Sequence, residues 1–251
     1  MSLERMFNLM AEKQASDLFF SVGSPITIKI NGVCVPINQD RLAPQAIVSL
    51  LAERLTDAHF RELEDSRELN IGLPVQGIGS FRLSAFLQRG SISAVIRFIP
   101  HDVPKLDALH LPEVLKDLIM ERRGMILVVG AAGSGKSTTI ASMLDHRNEL
   151  STGHVLTFED PIEYLFRNKK SIINQREIGS DARTLQAALR SAMRQAPDVI
   201  FIGEIRDRDT MSAAVAYSMS GHLVVATLHA TNSAHALNRV ISFYPPETRQ
   251  A

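Results

Sequence analysis

Residues 130–138 read GAAGSGKST, and the spacing Gly130-x-x-x-x-Gly135-Lys136-Ser137 is that of a phosphate-binding P-loop. Small residues at Gly130, Gly133, Ser134 and Gly135 let successive backbone N–H groups turn inward around a phosphate. Lys136 would place its ammonium on the terminal phosphates and Ser137 its hydroxyl on Mg²⁺, while the dipole of the following helix adds its field. Thr138 completes the expected nucleotide-binding set. The apolar run MILVVG at 125–130 leads straight into the loop and a helical pattern begins at Lys136, so the strand-loop-helix context is present. An ordinary glycine turn before a helix is the bland alternative, and the full spacing in this context argues against it. The loop names a ligand class but no reaction, because kinases, GTPases, helicases and motors share it.

Downstream, HVLTFED at 154–160, PDVIFIGE at 197–204 and HLVVATLH at 222–229 are further apolar runs that alternate with helical segments. That alternation predicts a mostly parallel sheet covered on both faces. Upstream, PHDVPKLDALHLP at 100–112 carries three prolines, which disfavours a helix or a central strand and predicts a linker over 101–111. Residues 1–100 then form one domain and 112–251 another. In the first domain Leu3, Met6, Phe7 and Met10 make a helical stripe. DLFFSV, ITIKI and VCVPI read as strands, with Asn31-Gly32 as a hairpin signal. One helical stretch is expected from about residue 44 to 63. SFRLSAFLQ and SISAVIRFI, joined at Arg89-Gly90, complete an antiparallel sheet.

The 251 residues suffice for two domains with real cores, given 45% hydrophobic content. Lys plus Arg and Asp plus Glu both count 27, so no net field pulls the chain onto polyanions. With zero Trp and three Tyr as well, the composition argues against a nucleic-acid translocase. The single cysteine, Cys34, can form neither an internal disulfide nor a cysteine zinc site, and a reducing cytosolic compartment fits. MSLERMFNLMAEK mixes charge into every turn and reads as neither a signal peptide nor a spanning segment. No apolar run approaches the roughly 18–20 residues of a membrane helix, so membrane association would go through a partner.

Hydrolysis of a nucleotide needs a carboxylate that orients or deprotonates water, and acidic or hydroxyl groups around the metal. DVIFIGE has the apolar body of a metal-binding strand but ends in Gly203-Glu204, so Glu204 must serve where an Asp is usual; a solvated ion pair with Arg206 or Arg208 is the alternative. FEDPIEY supplies Glu159, Asp160 and Glu163 at another strand end, where Asp160-Pro161 also reads as a helix start. His222 and His229 stand seven residues apart, which is no zinc spacing, and His229 at a strand's carboxyl end could meet a phosphate or a neighbouring carboxylate. Arg82, Arg97, Arg190 and Arg194 are arginines that could meet charge on the transferred phosphoryl group; spacing alone reads each as a surface residue.

GAAGSGKST, FEDPIEY, ALRSAMRQAPDVIFIGEIRD and GHLVVATLHATNS, in this order, resemble the Walker A, Asp box, Walker B and His box of the secretion-type ATPases. ASDLFFSVGSPITIKINGV resembles the start of the type IV pilus retraction branch, PilT and PilU, and ATLHATNSAHALNRVISFYPPE is nearer to the PilU type. The resemblance implies an α/β chain with a PAS-like N-terminal domain and a RecA-like ATPase domain. It implies a homohexamer using ATP and Mg²⁺ for pilus retraction at the cytoplasmic face of the inner membrane. An inner-membrane platform protein and a sister retraction ATPase would be partners, with no nucleic acid and no direct membrane insertion. Residue by residue, Glu163 would activate water, Glu204 and Ser137 would serve the metal, and His229 would face the γ-phosphate. Arg82 and Arg97 would reach the nucleotide from the first domain. Ala131-Ala132 stands where the family commonly has Pro-Thr, and the helical C-terminal region of the family is expected to be missing beyond Ala251.

Overall fold

The computed structural model describes residues 1–99, 103–131 and 133–245. The chain divides into two compact units, Met1–His101 and Asp102–Ala251, and each is described by itself.

The first unit is a six-stranded antiparallel sheet with three helices. Its helix α1 (Leu3–Glu12) buries the stripe Leu3, Met6, Phe7 and Met10. Strands β1 (Asp17–Phe20), β2 (Thr27–Ile30), β3 (Val33–Pro36), β4 (Glu68–Val75), β5 (Gly79–Gln88) and β6 (Ser91–Ile99) run in the order β3-β2-β1-β6-β5-β4. Both expected hairpins form: Asn31 and Gly32 take φ of 49° and 83°, and Arg89 and Gly90 take 51° and 75°. Two successive left-handed residues are what a two-residue turn matched to strand twist requires. Phe7 stacks on Phe81 with ring centroids 4.1 Å apart at the centre of this core.

One expectation is corrected here, and one strand is new. The stretch 44–63 is two helices, α2 (Pro44–Leu51) and α3 (Asp57–Ser66). Thr56 starts the second one: its hydroxyl accepts from the His59 N–H at 3.4 Å, while His59 Nδ1 accepts from the Thr56 N–H at 3.2 Å. This is a capping box with histidine in the usual Glu place. Strand β4 carries Gly72 and Pro74, residues that weaken a strand signal and that an edge position tolerates.

In the second unit the strands β7 (Gly124–Val129), β8 (Gly153–Glu159), β9 (Ser171–Glu177), β10 (Val199–Ile202) and β11 (Leu223–Leu228) form a sheet in the order β7-β11-β10-β8-β9. Every pairing in it is parallel. The helices are α4 (Val114–Met120), α5 (Lys136–Leu150), α6 (Leu185–Ala192), α7 (Arg208–Met219) and α8 (Ser233–Ser242). Ile140, Met143 and Leu144 of α5 pack into one apolar cluster with Val155, Val199 and Val225 of the sheet, and α6 and α7 pack into another. Two apolar layers explain why β10 and β11 are buried along their whole length. Leu106, within the stretch expected as a linker, belongs to the first of these clusters and sits in a short 3-10 turn, Leu106–Leu109. Residues 100–102 of that stretch lie outside the described residues.

Strand β9 was not legible as a strand, since SIINQRE is polar, yet it pairs with β8 over seven residues. The helix start expected at Asp160-Pro161 is not present either: residues 160–170 form no helix or strand. Their amides find side-chain acceptors instead of carbonyls one turn back. The Ile162 N–H donates to Glu177 Oε2 at 3.0 Å and the Phe166 N–H to Gln175 Oε1 at 2.9 Å.

The Phe7–Phe81 stack makes a direct prediction for the first unit. Phe81→Ala should cost about 3–5 kcal/mol, measured by urea unfolding followed by far-UV circular dichroism, and a loss below about 1 kcal/mol would show that the core closes around the hole.

Candidate active site

The loop between β7 and α5 needs glycine where the sequence supplies it. Gly133 and Gly135 lie at φ of 73° and 91°, and a Cβ on Gly130 would come within 2.4 Å of the Ser134 hydroxyl. Lys136 folds back over the loop, its Nζ donating to the carbonyls of Gly130 at 3.0 Å and Ala131 at 2.8 Å. Thr138 meets the hydroxyl of Tyr164 at 3.1 Å, which ties the start of α5 to the segment after β8.

A cleft of about 370 Å³ opens at the carboxyl ends of the strands, a size suited to a small-molecule ligand. It is lined by Gly133, Lys136 and Ser137 from the loop, Glu159, Asp160 and Glu163 from the end of β8 and beyond, and Glu204, Arg206 and His229 after β10 and β11. The sheet brings together four motifs whose cleft residues the sequence separates by more than twenty positions each. Gly203 permits it: its N–H donates to the Phe158 carbonyl at 2.8 Å, and a Cβ there would stand 3.2 Å from both the Glu159 Cα and that carbonyl oxygen. The chain thus passes close against β8 before presenting Glu204.

Both oxygens of Glu204 are engaged. Oε1 meets His229 Nε2 at 3.1 Å and Oε2 accepts from Arg206 Nε at 2.7 Å. The Arg206 ion pair foreseen as an alternative therefore exists, but inside the cleft and shared with His229. The pairing pushes the Arg206 guanidinium pKa up. Thr227, two residues before His229, donates its hydroxyl to the Gly203 carbonyl and so locks β11 to the turn that carries Glu204.

Glu159 is the buried carboxylate of the set, 5% exposed. Burial pushes its pKa up, opposed by hydrogen bonds from Thr157, from Gln175 and from the Glu163 backbone. The Thr157 hydroxyl lies 2.7 Å and the Gln175 Nε2 3.1 Å from the same oxygen, Oε1. Sequence reading missed Thr157, Tyr164 and Gln175. The signal for Gln175 was the period-two register of Ser171, Ile173, Gln175 and Glu177, hidden by polarity.

Of the remaining residues, Arg82 and Arg97 face one another on β5 and β6, and Asp17 on β1 is the next neighbour of Arg97 in that row. Arg97 Nε donates to Asp17 Oδ1 at 2.9 Å. Both arginines belong to the first unit, whereas the cleft is built within the second. Arg190 and Arg194 are exposed and are not among the residues lining the cleft. His222 contacts the Tyr217 carbonyl and the Ser220 hydroxyl, a structural role.

Among the described residues no three His, Cys, Asp or Glu side chains group as a metal cage. The oxygen donors of Ser137 and Glu204 in one cleft fit Mg²⁺, which keeps waters and takes phosphate oxygens for the rest of its shell.

The buried Glu159 predicts how stability responds to pH. Its folded pKa lies above the ordinary glutamate value, so the unfolded chain releases this proton first and stability falls as pH rises from about 4.5. Glu159→Gln removes that titration, so the variant should gain on the parent protein as pH rises from about 4.5 to 7.5 in urea unfolding. Tyrosine fluorescence is the probe, since Tyr164, Tyr217 and Tyr244 all lie in the second unit. A gap constant with pH would contradict it.

Comparison with known proteins agrees with this architecture. Residues 2–245 match the family described as type II/IV secretion system protein. The type IV pilus ATPase PilU of Pseudomonas aeruginosa is 43% identical over 98% of this chain and 65% of its own length. The retraction ATPase PilT of the same organism is 38% identical over 99% of this chain and 72% of its own. The chain thus spans about two thirds of the length of these relatives. The crystal structure of the pilus retraction motor PilT with bound ADP superposes with a TM-score of 0.93, at 38% identity over 100% of this chain and 73% of that one. By its fold, by the order of its nucleotide-site motifs and by these matches, the chain belongs to the type II/IV secretion system protein family, on the branch of the type IV pilus retraction ATPases.

Proposed function

We propose that this protein is an ATP-hydrolysing motor that powers type IV pilus retraction. The observation that carries the reading is that the P-loop, the acidic segment after β8, Glu204 and His229 meet in one cleft. Two further facts support it: the similar crystal structure of a pilus retraction motor PilT holds bound ADP, and the relatives at 43% and 38% identity are both named as pilus ATPases.

On this reading Gly130, Gly133, Ser134, Gly135 and Thr138 shape and line the phosphate cradle, with Lys136 on the terminal phosphates. Ser137 and, through water, Glu204 would hold Mg²⁺, which would supply positive charge against the charge that develops on the transferred phosphoryl group. Glu163 takes the proton of the attacking water, so that ATP and water yield ADP and phosphate. His229, already paired with Glu204, faces the γ-phosphate side. Arg82 and Arg97 supply positive charge from the first domain of the same or a neighbouring subunit, which gives ring assembly a chemical purpose. The first unit acts as the PAS-like domain and the second, whose core takes in Leu106, as the RecA-like domain. Assembly is a homohexamer at the cytoplasmic face of the inner membrane, docked on a platform protein. Among the described residues no helix is long and apolar enough to cross a membrane.

The higher identity to PilU than to PilT favours a second reading, an accessory nucleotide-binding subunit that acts with a sister retraction ATPase. The two separate on turnover of the chain by itself. A nucleic-acid translocase fits the zero net charge poorly.

Glu163→Gln should lower kcat by at least about 100-fold while ADP affinity stays within about threefold, as loss of a general base requires. Turnover at the parent rate in that variant would take Glu163 out of the base role.

A further inference from the structure

The segment that carries Glu163 has no helix or strand to hold it, so something else must fix the base. We propose that Gln175, on the edge strand β9, is the positioning residue that sets Glu163 for attack; this rests on the reading of Glu163 as the water-activating base.

The Gln175 amide is used on both sides. Its Oε1 accepts the Phe166 N–H at 2.9 Å, and its Nε2 donates to the Tyr164 carbonyl at 2.8 Å and to Glu159 Oε1 at 3.1 Å. The orientation of the amide follows from its partners, since the Phe166 N–H can only donate and the Tyr164 carbonyl can only accept. Two residues along the same face of β9, Glu177 Oε2 takes the Ile162 N–H at 3.0 Å. Residues 162, 164 and 166 are therefore pinned on both sides of the base, and Gln175 accounts for two of these three ties directly.

Gln175 is not among the residues that line the cleft, so it acts through the segment and not on the nucleotide. Its contribution is geometric. A general base must stand within about 2.6–3.2 Å of the proton it takes, and a displacement on the order of 1 Å costs roughly 100-fold. The Thr138–Tyr164 hydroxyl contact carries the same register to the first turn of α5, next to Lys136 and Ser137.

The test compares Gln175→Ala, Gln175→Glu and Glu163→Gln in the full chain, measuring ATP turnover, the Kd of a fluorescent ADP analogue, and thermal unfolding. Gln175→Glu is close to isosteric, keeps the acceptor for Phe166 and loses the donors, so it reports even where Gln175→Ala fails to fold. Both Gln175 variants should lose at least about tenfold in kcat with KM and ADP Kd within about twofold. In the Glu163→Gln background, Gln175→Ala should lower the residual single-turnover rate by less than about twofold, because a positioning residue has nothing left to position. Parent-like kcat in folded Gln175→Glu overturns the proposal while Glu163→Gln remains inactive. Equal losses in kcat and ADP affinity, or an undiminished penalty in the double variant, overturn it too by marking a general structural role. If Glu163→Gln itself turns over normally, the base reading is what has failed.

Discussion

The second unit depends on a close approach between two strand ends. Gly203 follows β10 so tightly against β8 that a methyl group would meet the backbone at Phe158 and Glu159 at 3.2 Å. That absence of a side chain lets Glu204 emerge beside the acidic segment of β8 and within reach of His229 from β11. Parallel strands all deliver their carboxyl ends to one edge of the sheet, so the P-loop after β7 opens into the same space. The helix α5 then aims its N-terminus at that space, and the apolar faces on both sides of the sheet keep the strands in register.

Within this frame the chemistry is divided by burial. Glu204 carries a shared pairing with His229 and Arg206 that leaves it on the cleft wall. Glu159 lies beneath, nearly sealed from water, and its oxygens serve as anchor points for Thr157, Gln175 and the Glu163 backbone. Within the short run FEDPIEY the same division recurs, Glu159 nearly sealed from water and Glu163 exposed on the cleft wall. The segment after β8 has no regular structure, and the side chains of a neighbouring strand stand in for helix carbonyls in taking up its amides. Its far end is secured in the same manner, where Lys169 Nζ reaches Asp145 at 2.6 Å and Glu149 at 2.9 Å on α5.

Much of this was legible from the residues. The P-loop with its flanking strand and helix announced the parallel sheet, and the apolar runs ending in FED, IGE and TLH marked where the acidic groups and His229 would gather. Both hairpin turns followed from Asn31-Gly32 and Arg89-Gly90, which take the left-handed conformations those pairs favour. Other elements were hidden for physical reasons. Strands β4 and β9 lie at sheet edges, where Pro74 and the polar run SIINQRE are tolerated and the apolar signal is diluted. Thr56 concealed a helix start because its partner is His59 and not a Glu. Asp160-Pro161 suggested a helix start that lost to side-chain hydrogen bonding from Gln175 and Glu177, long-range partners that local pattern cannot reveal. Arg82 and Arg97 occupy one cross-strand row with Asp17, an arrangement that follows from strand register and not from spacing.

Steady-state ATP turnover of the full-length protein, with and without single-stranded DNA and with Lys136→Ala as the control for contaminating activity, tests the central claim most directly. The account predicts turnover that vanishes in the Lys136 variant and is indifferent to DNA. Tight ATP binding without turnover, or turnover that survives loss of Lys136, would contradict a self-sufficient motor built on this cleft.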